Sequence, residues 1–283
     1  MMMHMLFPEA KTKALTFSYD DCLEQDIRLM EIFNKNGLKG TFNLNGKPLE
    51  TEEYSYSEGT IHLRMGSKLA VESYGGEVGK NHEVAFHGYT HPFLDRVPRA
   101  IASYEVAKGR EVLEALFGRI VRGCAYPMGT FNDMTVDVLR ENGIAYARTT
   151  VSTGDFSIPQ DWLRMPATCH HDDPRLFELA NKFLSEDPGV WDTPWLFYVW
   201  GHTFEFDMKN NWDRIETFCE MVGNREDVWY ATNMEIYEYV EAYRHLNFSV
   251  EGKMVHNPSA IPVWFKYGGI ICKAGAGESV QFR

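Results

Sequence analysis

Apolar positions along the chain switch repeatedly between two periods. Residues 14–19 form a short apolar, β-rich run. In the stretch 23–36 that follows, Ile27, Met30, Ile32 and Phe33 fall near one helical face, and Gly37 stands where a helix-ending glycine belongs. The alternation continues. Residues 41–44 and 83–86 read as strands, 100–117 as a helix closed by Gly118, and 121–126 as a strand. Residues 134–142 read as a helix capped by Asn132 or Asp133 and closed by Gly143, and 144–148 as the next strand. Asp173 followed by Pro174 opens a helix over 175–184. Residues 194–200 are apolar without interruption, as a strand buried on both faces should be. A helix at 211–222, a strand at 228–230 and a helix at 233–243 complete the series.

Repeated strand–helix units imply a parallel sheet, because parallel neighbours need a crossover. Their number favours a closed or nearly closed α/β barrel over an open doubly wound sheet. In either fold the site belongs where strands end and loops begin. The helical period is lost from residue 246 onward. There, residues 263–267 and 270–272 flank Gly268-Gly269, a hairpin-like arrangement. The expected organisation is therefore a barrel over 1–245 with a small β appendage over 246–283.

Composition narrows the partners. The 283 residues carry 28 basic and 40 acidic side chains, a net charge of −12, so a phosphate-binding face is not expected and nucleic acid is excluded as a partner. The five cysteines stand apart at 22, 124, 169, 219 and 272, without the close pairs of a zinc ribbon or redox motif, and they suit a reducing compartment. No apolar run approaches the ~20 residues of a membrane span, and no cationic leader precedes an apolar stretch. The expectation is a cytoplasmic protein with no membrane partner, its homo-oligomeric state open.

Candidate chemistry clusters at the predicted strand ends. Asp20-Asp21 follows the first strand, where one carboxylate can bind a metal while the other faces water; a single aspartate there also serves as a helix cap. His87-Gly88-Tyr89-Thr90-His91 follows the strand at 83–86. Two histidines at that spacing can share a divalent ion, and imidazole favours zinc, cobalt, nickel or iron over magnesium or calcium. With one carboxylate they leave a position open for water. Pro127-Met128-Gly129 ends another strand and can present backbone N–H groups to an oxyanion. His202 follows the most apolar strand and can protonate a leaving group. Asp161 is the carboxylate expected to orient it, with Glu205 and Asp207 as competitors. His170-His171 beside Asp172-Asp173 reads as an acidic helix cap ahead of Pro174, in preference to a metal site.

Taken in order, these clusters resemble the polysaccharide deacetylases of carbohydrate esterase family 4, the NodB-homology domain, over residues 14–243. The family's Thr-Phe-Asp-Asp-Gly motif stands here as Phe17-Ser18-Tyr19-Asp20-Asp21-Cys22, and its His-(Ser/Thr)-x-x-His motif as His87–His91. Lys39-Gly40-Thr41-Phe42 is similar to the family's second strand. The resemblance implies a distorted (β/α)7-type barrel and a divalent ion, zinc with cobalt or nickel as alternatives, ligated by Asp21, His87 and His91. It implies Asp20 as general base, His202 as general acid, Asp161 as its orienting carboxylate, and the Met128 N–H as oxyanion donor. The implied activity is hydrolysis of N-acetyl or N-acyl groups on an amino-sugar oligo- or polysaccharide. The alternatives are an amidohydrolase of a small molecule and a non-catalytic carbohydrate-binding relative. Three positions depart from the family pattern: Cys22 replaces glycine, Gly88 replaces serine or threonine, and Ala125 stands where an arginine pairs with the base. Arg148 or Arg164 can replace that arginine from a neighbouring strand end.

Overall fold

A computed structural model describes residues 3–53, 62–189 and 193–282. After β1 (Met3–Leu6), the chain alternates. β2 (Lys13–Asp20) leads to α1 (Gln25–Lys35), β3 (Thr41–Leu44) to α2 (Ser67–Tyr74), and β4 (Glu83–Phe86) to α3 (Arg99–Phe117). β5 (Gly123–Ala125) leads to α4 (Asp133–Glu141), followed by β6 (Tyr146–Ser152), β7 (Met165–Ala167), β8 (Cys169–His170) and α5 (Leu176–Ser185). β9 (Trp195–Gly201) is followed by α6 (Phe204–Lys209) and α7 (Trp212–Val222), and β10 (Val228–Tyr230) by α8 (Asn233–Arg244).

The central sheet runs β7-β6-β5-β4-β3-β2-β9-β8, and every pairing in it is parallel. β7 and β8 are separated only by Thr168, whose N–H donates to the Tyr198 carbonyl. Residues 165–170 therefore pair first with β6 and then with β9, which returns the sheet on itself. Counting that stretch as one strand gives seven around the ring: β2, β3, β4, β5, β6, β7/β8 and β9. β10 lies outside this path, against residues 13–15 of β2. The fold is thus the distorted (β/α)7-type α/β barrel expected from the alternation.

Helix ends follow local chemistry. Asn132 caps α4 through a capping box with Thr135, Thr232 does the same for α8 with Glu235, and Asp173 Oδ1 accepts from the Arg175 N–H ahead of α5. The apolar faces of α4 and α5 share one core cluster with Leu15, Phe17, Phe42 and Phe86, while the same strands also bury the polar Thr16, Ser18, Asp20, Thr41 and Asn43. All eight residues of β2 are buried, including Lys13, whose ammonium reaches Asp187 at 3.0 Å.

The tail carries β11 (Asn247–Phe248), β12 (Met254–His256), β13 (Val263–Tyr267), β14 (Ile270–Ala274) and β15 (Ser279–Gln281). β13 and β14 form the hairpin at Gly268-Gly269, where both glycines have positive φ. β1 pairs antiparallel with β13, so this small sheet draws on both ends of the chain. A second small sheet, β11-β12-β15, completes the tail. Among the described residues, no helix is long and apolar enough to cross a membrane.

Candidate active site and metal centre

Neighbouring strands end at the same level, and that register gathers the site. Asp20 pairs with Asn43, Leu44 with Phe86, Ala125 with Arg148, and Tyr19 with Gly201. The polar residues at or just beyond these positions gather at the C-terminal end of the barrel. Asp20 ends β2 in extended conformation, but Asp21 and Cys22 have φ of 86° and 57°. That left-handed step breaks the alternation of a strand and lets consecutive carboxylates look toward the same histidine. His87 Nε2 stands 3.8 Å from Asp20 Oδ2 and 3.9 Å from Asp21 Oδ1.

Asp21, His87 and His91 form a donor set whose ligand atoms all lie within 4.8 Å of one another. The two Nε2 atoms are 3.1 Å apart, and His91 Nε2 is 3.7 Å from Asp21 Oδ1. Donors about 2.1 Å from a tetrahedral ion are separated by about 3.4 Å, so this set brackets what such an ion needs. Nδ1 of His87 donates to the Ala125 carbonyl at 2.9 Å, which leaves the Nε2 lone pair for a ligand. Burial lowers the pKa of both histidines, that of His91 to about 4, so the imidazoles are neutral at neutral pH, as metal ligation requires. Arg64 Nη2 approaches Asp21 Oδ1 at 3.3 Å, and Asn45 ties Arg64 to the His87 backbone carbonyl.

Asp20 is held by Arg148, whose Nη2 bonds both carboxylate oxygens, at 2.5 Å to Oδ1. Asn43 Nδ2 donates to the same Oδ1 at 2.9 Å. Burial would raise the pKa of this carboxyl, but Arg148, His87 and His202 outweigh it and hold the group well below the usual carboxylate range. The Arg148 guanidinium packs 4.5 Å from the Trp200 ring. His202 Nε2 lies 3.7 Å from Asp20 Oδ2, and its Nδ1 bonds Glu205 Oε1 at 2.8 Å. Burial opposes the imidazolium of His202, yet Glu205, Asp20 and Asp21 together raise its pKa above the ordinary value.

Residues 8–147 match the family model described as polysaccharide deacetylase. That segment belongs to the polysaccharide deacetylase family. A Mycobacterium smegmatis structure assigned to the polysaccharide deacetylases superposes with a TM-score of 0.61 at 20% identity, covering 85% of this chain and 94% of that one. The Puue allantoinase structure gives a TM-score of 0.58 at 14% identity, covering 82% and 91%. Both likenesses concern the fold. Among curated proteins, the uncharacterized protein YlxY of Bacillus subtilis is 24% identical over 132 residues, which is 47% of this chain and 36% of that protein.

The three departures from the polysaccharide deacetylase pattern have local explanations. Cys22 occupies a left-handed position that suits glycine, and its side chain is buried. Gly88 has φ of 84°, and a Cβ there would stand 3.0 Å from the Pro127 ring and 3.1 Å from the His91 backbone, so this tight histidine loop favours glycine. The arginine missing at Ala125 is supplied one strand over by Arg148, directly opposite in the register. Arg164 is elsewhere, paired with Asp161 and Asp133 at 2.6 Å each.

Asp161 is a correction. Its carboxylate accepts from the Leu163 N–H and pairs with Arg164, capping the short turn Trp162–Arg164. Glu205, in the first turn of α6 and three residues after His202, takes the orienting position instead. Met128 lies in the left-handed turn Pro127–Gly129 with φ of 59°, and that turn packs against the His87 loop through Pro127. The cap assigned to residues 170–173 holds for Asp173 only. His170, His171 and Asp172 gather with Glu205 in a second cluster. Asn43, Asn45 and Arg64 were not expected from sequence, although polar residues at the end of a buried strand, as Asn43 and Asn45 are, mark a barrel's C-terminal face.

Proposed function

We propose that this protein is a metal-dependent deacetylase that removes N-acetyl or related N-acyl groups from an amino-sugar oligo- or polysaccharide. The reading is carried by Asp20 Oδ2, which lies 3.8 Å from His87 Nε2 on the ligand set and 3.7 Å from His202 Nε2. Base, metal ligands and acid are thereby within reach of one small scissile group. Asp21, His87 and His91 would hold the ion, zinc in the first instance. When bound, it supplies Lewis-acid activation of water and of the amide carbonyl.

The protein's own groups divide the remaining work. Asp20 takes the water proton at Oδ2; Arg148 holds both oxygens of the carboxylate, and Asn43 donates to Oδ1. Arg148 keeps that carboxylate ionised and fixed. The Met128 N–H offers a hydrogen bond to the developing oxyanion. His202 delivers a proton from Nε2 to the leaving amine, while Glu205 holds its Nδ1–H and favours the imidazolium. The half-buried Phe204 ring lies 5.5 Å from the His202 imidazole and offers an apolar face of the kind sugars stack on.

Acetate release from N-acetylglucosamine oligomers by the zinc- or cobalt-loaded protein tests this reading. Turnover that Asp20→Asn abolishes with metal retained supports it. Turnover of small N-acyl amides but not oligomers transfers the chemistry to another substrate class. Metal-loaded protein inactive on both overturns it.

A further inference from the structure

A second group of metal-type donors lies behind Glu205, on the side away from His202. His170 ends β8, His171 and Asp172 follow it, and Glu205 opens α6; one donor atom from each lies within 4.8 Å of the others. His171 Nε2 is 3.2 Å from Glu205 Oε2 and 3.4 Å from Asp172 Oδ2, and His170 Nε2 is 3.5 Å from the same Glu205 oxygen. These spacings match the separation of about 3.4 Å between donors on a tetrahedral ion.

The buried histidine points to a ligand. The His171 side chain is 0% exposed, stacked between the rings of Tyr19 at 5.7 Å and Phe206 at 4.3 Å. Gly201 makes room for it, since a Cβ at that position would stand 2.0 Å from His171 Nδ1. Yet neither ring nitrogen has an aligned hydrogen-bond partner. Its Nε2 aims between two carboxylates without lining up on either, which is unusual for a buried polar group. A cation between them would engage His171, Asp172 and Glu205, and His170 through Nε2 once its Nδ1 takes the proton and gives up the Asp172 N–H it accepts at 3.2 Å. Lys209 already brings positive charge to this spot: its ammonium bonds Asp172 Oδ2 and lies 3.6 Å from Glu205 Oε2, on a side chain 41% exposed.

We propose that His170, His171, Asp172 and Glu205 form a second divalent-cation site, distinct from Asp21–His87–His91, with Lys209 as the charge an incoming ion displaces. Two imidazoles and two carboxylates select zinc, cobalt or nickel over magnesium and calcium. Glu205 Oε1 stays on His202 Nδ1, so an ion at Oε2 would lock the carboxylate that orients His202.

The test is equilibrium dialysis of chelator-stripped full-length protein against Co²⁺ alone, reading bound cobalt per chain and its visible absorption. Wild type binds two ions. His91→Ala and His170→Ala each bind one, with different spectra, and the double variant binds none. Glu205→Gln, which preserves volume, repeats the loss should His170→Ala misfold. Lys209→Met tightens the second ion several-fold. One ion in wild type, lost in His91→Ala and kept in His170→Ala, overturns the second site and leaves the first standing. One ion lost only in His170→Ala supports the second and removes the first. Two ions retained by both His170→Ala and Glu205→Gln also overturn the proposal.

Discussion

Replacing Arg148 with methionine probes how the base is held. The guanidinium is 1% exposed and the Asp20 carboxylate 3%, so neither charge has water to turn to. Removing one member of a buried pair typically costs about 3–5 kcal/mol, because the other charge stays behind unpaired. Asn43 still donates to Asp20 Oδ1, and His202 remains 3.7 Å from Oδ2, so the lower end, about 3 kcal/mol, applies here. Urea denaturation of wild type, Arg148→Met, Asp20→Asn and the double variant measures it. Each single variant strands the opposite partner, whereas the double variant strands neither. The double loss should fall short of the sum of the singles by at least about 2 kcal/mol. The sign with pH is also set. In wild type the pair's contribution is present above the ordinary aspartate pKa and disappears as pH falls through the depressed folded value. In Arg148→Met the carboxyl titrates higher, so the gap between the two proteins widens as pH rises from 4 toward 7. Additivity within about 0.5 kcal/mol, or a single-variant loss of the size of a surface pair, below about 1 kcal/mol, refutes the reasoning.

Further outcomes follow from the same geometry. Asp20→Asn should keep the metal and lose about 10²–10⁴-fold in turnover, read as acetate release beside metal content. Glu205→Gln should lower turnover about 10–100-fold with the fold intact, since it acts through His202, whereas Asp161→Asn should leave turnover unchanged. Gly201→Ala should destabilise the protein by about 1–3 kcal/mol in denaturant by driving a methyl into the His171 ring. His82 accepts the Gly40 N–H at Nδ1, and burial lowers its pKa from 6.5 to about 4. Its contribution is present above 6.5 and lost as pH falls toward 4, by up to about 3 kcal/mol. The stability difference between wild type and His82→Gln should therefore shrink over that window. A pH-independent difference contradicts the assignment.

Much of the site was readable because a parallel barrel writes its strands as apolar runs and puts its chemistry just beyond them. Asp20-Asp21, His87–His91 and His202 each follow such a run. What escaped depends on distances that no local pattern records. Arg148 and Arg164 were both candidates for the missing arginine, and only the register, which sets Arg148 opposite Ala125, decides between them. Asp161 was the expected partner of His202, with Glu205 and Asp207 as competitors along the chain. Only the placement of α6, which begins two residues after His202, decides for Glu205. His170 and His171 read as part of a helix cap because the barrel brings Glu205 to them from the next strand–helix unit. The pairing of β1 with β13 joins segments at opposite ends of the chain and leaves no periodic signal in either.

Crystals grown with zinc and measured on both sides of the zinc absorption edge test the central claim most directly. An anomalous peak within bonding distance of an Asp21 carboxylate oxygen, His87 Nε2 and His91 Nε2 is predicted. Zinc-saturated crystals with those three side chains well ordered and no peak between them would contradict the account.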